Sequence, residues 1–311
     1  SSFTVSDGLT DNLAGRLTGY YNHDEGWVEN VYDDNTVNNS DDWGIRGKLL
    51  WNPTETLEVK WSSDYSDRNS KCCNVAFHAL DPYPAQPPNN QEKVDEILAQ
   101  LAPVVPGEKN KKVNLNGELT TDTSASGHSL EVNWDVGSHT LTSISAYRDW
   151  SQNGRGDNDQ LPVDVLGFIQ GGKSDQDQFS QELRLTSPGD QFISYVAGLY
   201  YFDQTVDRKF DRSFDVTGTD RTEAIADFSV DSLNYAAFGE AVTHFSERWR
   251  LVTGLRWTHD DIKFDFERIG STLGANPEPY FKRDNNESAW SGKIALEWNV
   301  TDDAMTYASY S

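Results

Sequence analysis

Trp43-Gly44-Ile45-Arg46-Gly47-Lys48-Leu49-Leu50-Trp51 decides how the rest of this chain is read. Its odd positions, Trp43, Ile45, Gly47, Leu49 and Trp51, carry no charge, whereas the even positions include Arg46 and Lys48. Successive residues of a β-strand face opposite sides, so this stretch has one uncharged face and one that tolerates charge. Moving outward, Leu57, Val59, Trp61, Ser63 and Tyr65 alternate with Glu58, Lys60, Ser62 and Asp64, and Leu13, Gly15, Leu17, Gly19 and Tyr21 flank Arg16. The same period recurs in Leu130–Val136, in Leu251–Trp257 against Arg256, and in Trp290–Trp298 against Lys293 and Glu297. Between Leu141 and Tyr147 the parity changes at Ile144, which predicts a bulge.

Short joints alternate with long polar segments. Joints fall at 6–12, 52–55, 137–138, 187–190, 244–248 and 301–303, and the polar segments, predicted as loops, at 23–41, 66–127, 151–178, 203–231 and 260–287. That is an antiparallel meander of about twelve strands, with turns at one rim and long loops at the other. In the longest loop, Val94, Ile97, Leu98 and Leu101 recur at helical spacing between Pro87-Pro88 and Pro103, which predicts one amphipathic helix.

A sandwich core and a lipid-exposed barrel wall can both alternate in this way. The choice of apolar residues favours the barrel. Trp43 with Trp51, and Trp290 with Trp298, bracket the uncharged face with aromatics, as the two interfacial girdles of a membrane barrel do. Glycines 15, 19, 47 and 292 on that face would leave holes in a packed core, which lipid tails can fill. The fold expected is therefore all-β, an antiparallel up-and-down transmembrane β-barrel segment with short periplasmic turns and long extracellular loops. The chain starts inside one strand, stops inside another and has its single Met at position 305, so residues 1–311 are expected to be part of a larger barrel.

Composition narrows the function. The 311 residues hold 50 Asp and Glu against 26 Lys and Arg, a net charge of −24, which opposes binding to nucleic acid. Mean hydropathy is −0.69 and no apolar run reaches transmembrane-helix length, yet 12% aromatic residues are too many for a disordered acidic chain. Adjacent Cys72 and Cys73 make neither a disulfide framework nor a zinc site; a vicinal disulfide between them is open, and the pair reads as a local loop feature without catalytic duty. The six histidines are scattered, and acidic pairs such as Asp33-Asp34 match no dedicated calcium loop. Gly167-Phe168-Ile169-Gln170-Gly171-Gly172-Lys173-Ser174 satisfies a phosphate-loop pattern. Phe179, Gln181, Leu183 and Leu185 after it read as another strand where such a loop needs a helix, so nucleotide binding is not expected. No catalytic constellation or cofactor site emerges, and the chain is not expected to be an enzyme. Arg16, Arg46, Lys48, Lys60, Arg184, Arg256 and Lys293 take the charge-tolerant parity and would line the lumen, either paired with Glu58, Glu131, Glu182 and Glu297 or facing a ligand.

The order of short motifs resembles the barrel of TonB-dependent outer-membrane receptors. Gly8-Leu9-Thr10-Asp11-Asn12-Leu13-Ala14-Gly15-Arg16-Leu17, Leu50-Trp51-Asn52-Pro53-Thr54-Glu55-Thr56-Leu57, Ser180-Gln181-Glu182-Leu183-Arg184-Leu185, Tyr235-Ala236-Ala237-Phe238-Gly239-Glu240 and Trp298-Asn299-Val300-Thr301-Asp302-Asp303 carry it, and it covers nearly the whole chain. The resemblance implies a 22-stranded parent barrel in the bacterial outer membrane, an N-terminal plug and energy from a TonB complex reached through that plug. It also implies uptake of a scarce nutrient, a ferric siderophore or similar iron complex first, with carbohydrate or another organic nutrient next. A passive porin and a soluble all-β carbohydrate-active protein are the remaining alternatives. For an anionic ligand the candidates are Lys109, Lys111 and Lys112 in the longest loop, Arg148 with Trp150 at a strand end, and Arg16, Arg46, Lys48, Arg184 and Arg256 in the lumen.

Overall fold

A computed structural model describes residues 1–79, 90–117, 119–157, 160–162, 169–214, 222–272 and 276–311. The strands are β1 (Ser2–Thr10), β2 (Leu13–Asp24), β3 (Val28–Asn30), β4 (Asn35–Val37), β5 (Ser40–Thr54), β6 (Leu57–Ser70), β7 (Lys112–Val113), β8 (Thr120–Val136) and β9 (His139–Asp157). They continue as β10 (Ile169–Thr186), β11 (Ile193–Phe214), β12 (Thr222–His244), β13 (Trp249–Gly270), β14 (Glu278–Thr301) and β15 (Ala304–Tyr310). Twelve of them form one antiparallel meander in the order β1-β2-β5-β6-β8-β9-β10-β11-β12-β13-β14-β15. The sheet is not closed: β1 and β15 are not paired with each other.

Period two sorts the wall as expected. Cross-strand rows such as Leu13–Trp51–Val59–Val132 put the uncharged residues on one face, while Arg16–Lys48–Ser62–Ser129 share the other. The uncharged face is solvent-accessible on the protein itself, with Leu199 59%, Leu255 57% and Trp290 69% exposed. Aromatics gather at both ends of it. Toward the short turns Trp249 stacks on Trp298 at 5.2 Å and Phe192 meets Phe245 edge-on. Toward the loops come Trp43 with Tyr65 at 5.3 Å, Phe179 with Tyr201, and Tyr235 with Trp257. Aspartates stand two residues beyond this upper girdle on the same face, at Asp41, Asp67, Asp149, Asp177 and Asp203.

Three expectations change. The bulge at 141–147 is absent: β9 pairs without a register shift on both sides, and Ile144 simply faces inward between Glu131 and Glu182. The glycines leave no holes, because Phe3 lies over Gly19, Leu9 and Leu49 over Gly15, and Leu255 over Gly292. Larger cross-strand neighbours fill the space that lipid tails were expected to fill. The polar segments are also much less loop than expected. β12 and β14 are 23 and 24 residues long, whereas a tilted strand crosses a bilayer in about 9–11. The surplus continues as sheet beyond the upper girdle and takes in much of 203–231 and 260–287. Charged residues outnumber the apolar ones that alternate with them there, so the segments read as polar loop.

The rim of short turns is present, but the joints expected at 6–12 and 52–55 are tighter, at Asp11-Asn12 and Glu55-Thr56, because β1 runs on to Thr10 and β5 to Thr54. Gly137-Ser138 closes the β8–β9 hairpin, with Gly137 at φ 65°, a conformation a two-residue turn needs and glycine supplies freely. The expected helix is α1 (Asn90–Leu101), whose Leu101 is fully buried and Ile97 half-buried; Pro87-Pro88 lies outside the described residues. A packed core occurs in the loops: β4-β3-β7 form a small sheet in which Val28, Val37, Val113 and Leu115 are at most 1% exposed. Asn30 ties it together, donating to the Leu115 carbonyl at 3.0 Å and accepting from its amide at 3.1 Å.

Candidate functional site

The inner face has two zones. In the lower one, between the girdles, cations and carboxylates mostly neutralise each other. Lys60 bridges Glu58 at 2.9 Å and Glu131 at 3.2 Å, Arg184 pairs with Glu182, Lys293 with Glu240 and Arg250 with Glu297. Of the predicted residues, Arg16, Arg46 and Lys48 are brought together on a hollow of about 470 Å³ that also touches Lys60 and Glu131. None of those three has an ion-pair partner among the described residues. Arg256 is held between the rings of Tyr200 and Phe238, at 5.9 and 5.7 Å, and its Nε donates to Thr258.

The other predicted residues do not join this group. Arg148 crosses bare Gly127 to make two hydrogen bonds to Asp64, at 3.0 and 3.2 Å, so its charge is satisfied within the wall. Trp150 faces inward in the row Ala125–Trp150–Gln176. Lys112 lies on β7 and pairs with Glu29 at 2.7 Å, while Lys109 and Lys111 are exposed in the approach to it. The phosphate-loop match is strand: Ile169 to Ser174 lie in β10, and Lys173 pairs with Asp175 at 2.8 Å on the outer face. Gly167 and Phe168 fall outside the described residues.

Above the upper girdle lies a group that sequence reading placed in loops. The inward positions of β11 to β14 there are Arg208, Phe210, Arg212, Ala224, Ala226, Phe228, Val230, Phe264, Phe266, Arg268, Phe281 and Arg283. The outward positions between them are Asp207, Lys209, Asp211, Asp227, Asp265 and Glu267. These five acids and the arginines are thus sorted to opposite sides of one sheet, while Asp260 and Glu287, nearer the girdle, face inward. Phe228, Phe264, Phe266 and Phe281 form a continuous patch with ring centroids 5.6–6.3 Å apart. Guanidiniums lie against this aromatic surface: Arg268 over Phe266 at 5.3 Å, Arg283 over Phe281 at 5.4 Å, Arg212 over Phe210 at 5.6 Å and Arg208 over Phe228 at 5.9 Å. A hollow of about 370 Å³ opens between Phe210, Phe228, Phe266 and three of these arginines.

No carboxylate pairs with Arg208, Arg268 or Arg283 among the described residues, and Arg268 Nε is buried without a hydrogen-bond partner. Such a surface offers apolar area, forked donors and uncompensated positive charge together. It can bind a planar or anionic molecule. The sequence signal was present as alternation of a different kind, Arg208-x-Phe210-x-Arg212 and Phe264-x-Phe266-x-Arg268, with Lys209, Asp211, Asp265 and Glu267 in the gaps.

This architecture has known counterparts. The chain matches a protein family described as TonB dependent receptor-like, beta-barrel, over residues 2–311. Among solved structures it resembles the ferric yersiniabactin uptake receptor FyuA from Yersinia pestis, with a TM-score of 0.71 at 17% identity, covering 99% of this chain and 43% of that one. It is likewise similar to the siderophore receptor PiuA from Acinetobacter baumannii, with a TM-score of 0.68 at 14% identity and coverage of 99% and 46%. The open form of the ferric-catecholate import receptor Fiu from E. coli K12 gives 0.64 at 11% identity, with 99% and 51% covered. At these identities the likeness shows the shared fold, and the chain spans about half or less of each receptor's length. Matched over all but its first residue, the chain belongs to the β-barrel family of the TonB-dependent receptors, whose members are outer-membrane receptors and transporters of bacteria.

Proposed function

We propose that the chain is the barrel segment of an outer-membrane receptor for active, TonB-coupled uptake of a scarce nutrient, an anionic iron chelate of the siderophore kind. The carrying observation is the sorting of charge above the upper girdle. A chain of net charge −24 repels an anion unless its positive charge is concentrated where the anion arrives. Here Asp207, Asp211, Asp227, Asp265 and Glu267 point outward and the four arginines point inward, on a phenylalanine surface that suits a chelator's rings. The names of the similar structures, receptors for ferric yersiniabactin and ferric catecholates, support the same ligand class. The uncharged outer face, girdled by aromatics and capped by aspartates, is the surface that contacts outer-membrane lipid, and the plug and further strands of the parent receptor supply gating and the contact with the TonB complex.

Binding of radiolabelled ferric chelates to the complete receptor tests this. Arg268→Gln and Arg283→Gln each remove a charge-assisted contact worth about 1.5–3 kcal/mol, so each should weaken binding by about ten- to a hundredfold. Unchanged affinity in the double variant would exclude the arginine surface as the binding site. Uptake that instead followed a neutral oligosaccharide, and ignored both substitutions, would favour the organic-nutrient reading.

A further inference from the structure

A second hollow, of about 250 Å³, adjoins the arginine–phenylalanine surface and shares Arg208 and Phe210 with it. One inward row crosses its wall from β8 to β11: Thr121, Gly154, Gly172, Phe210. The two middle positions have no side chain, and the reasons differ. A Cβ on Gly172 would stand 2.5 Å from the Lys209 carbonyl oxygen, so the backbone requires glycine there. A Cβ on Gly154 would meet nothing closer than 3.6 Å, so the wall itself would accept a larger residue and the missing side chain serves only to leave space.

Disulfide-bonded Cys72 lines the same hollow from the loop after β6. That loop is held by Asn74, which is 3% exposed, donates to the Lys71 carbonyl and accepts from the Leu119 amide. Thr121, Gln152 and Ser174 also line it, and their side chains have no hydrogen-bond partner among the described residues. The charges at its margin are largely spent: Lys173 pairs with Asp175 and Arg155 with Asp211, leaving Arg208 at the mouth it shares with the arginine surface.

We propose that this slot is a subsite for a neutral, hydrogen-bonding arm of the ligand, a small amide- or hydroxyl-bearing group attached to an anionic head that lies against Arg208, Arg268 and Arg283. The proposal rests on the anionic-chelate reading above and adds the selectivity that reading lacks. Bare backbone admits the arm, Gln152, Ser174 and Thr121 bond to it, and the disulfide loop confines it.

Two iron(III) complexes with the same chelating head test it on the complete receptor: that of dihydroxybenzamide, which has no arm, and that of its N-hydroxyethyl derivative, whose amide-linked hydroxyl arm is neutral. The unsubstituted receptor should favour the armed complex by about tenfold, the worth of one or two hydrogen bonds. Gly154→Val, which fills the slot, and Gln152→Leu, which keeps volume but removes the donor, should each bring that ratio towards one. Gly189→Val, in a short turn with open space around it, should leave the ratio unchanged. Arg268→Gln should weaken both complexes while preserving their ratio. Equal binding of the two complexes by the unsubstituted receptor, or a ratio that survives both slot substitutions, would overturn the subsite while leaving the arginine surface standing. Binding of neither complex would overturn both readings.

Discussion

His23 and Asp41 show what single side chains do just beyond the upper girdle. Tyr21 and His23 both hydrogen-bond to Asp41 Oδ1, at 2.7 and 2.8 Å. The Tyr21 bond first, and the His23 bond second, hold the Asp41 carboxyl below its ordinary range, and the bond to Asp41 pushes the His23 pKa up. The signs oppose: His23's contribution is complete below about pH 6.5 and is lost as pH rises through the raised value, whereas Asp41's is complete above about pH 3.8 and is lost as pH falls through the lowered one. Titration of the His23 ring by NMR should therefore give a midpoint above 6.5, and Asp41→Asn should return it towards that value. An unshifted midpoint in the unsubstituted protein would mean the pair does not form. Nothing in local sequence announced this contact, because residues 18 apart meet only once β2 and β5 pair in register.

At the scale of the strand, parity is the governing fact. Leu49 faces outward in the row Gly15–Leu49–Trp61, and its neighbour Lys48 faces inward. Leu49→Arg should cost about 2–4 kcal/mol of folding stability if the position lies near the bilayer midplane, whereas Lys48→Arg should be nearly silent. Chemical denaturation of the barrel in liposomes measures both, and equal effects would refute the register. Strand β10 offers a second test. Gly172→Ala places a methyl group 2.5 Å from the Lys209 carbonyl and should loosen β10–β11 pairing, visible as faster amide exchange there, while Gly154→Ala should not. The strands between the girdles were legible because one face must be apolar. Their extensions were not, since charged residues outnumber the phenylalanines that alternate with them, and Arg208, Phe210, Phe266 and Arg268 were read as loop.

For the whole molecule, the inside-outside distinction has an optical consequence. Trp43 and Trp290 lie on the outer face, 43% and 69% exposed, whereas Trp150 lies on the inner one. In brominated lipid, single-tryptophan variants retaining Trp43 or Trp290 should be strongly quenched, and one retaining Trp150 should resist quenching until a soluble quencher enters from the loop side. Quenching of all three alike would contradict the two-faced wall.

Alternation by itself established the strand period, the meander, the turns at one rim and the inward parity of Arg16, Arg46, Lys48, Arg184 and Arg256, because each of these follows from which neighbour is two residues away. It also established the acidity that an anionic ligand must overcome. Only the folded sheet decided which charges are spent and which remain available. Arg148 is consumed by Asp64, 84 residues distant, and Lys112 by Glu29, 83 residues distant. Arg208, Arg268 and Arg283 come from three separate strands and converge on one phenylalanine surface. Register sets those meetings across long sequence separations, and no local pattern encodes it.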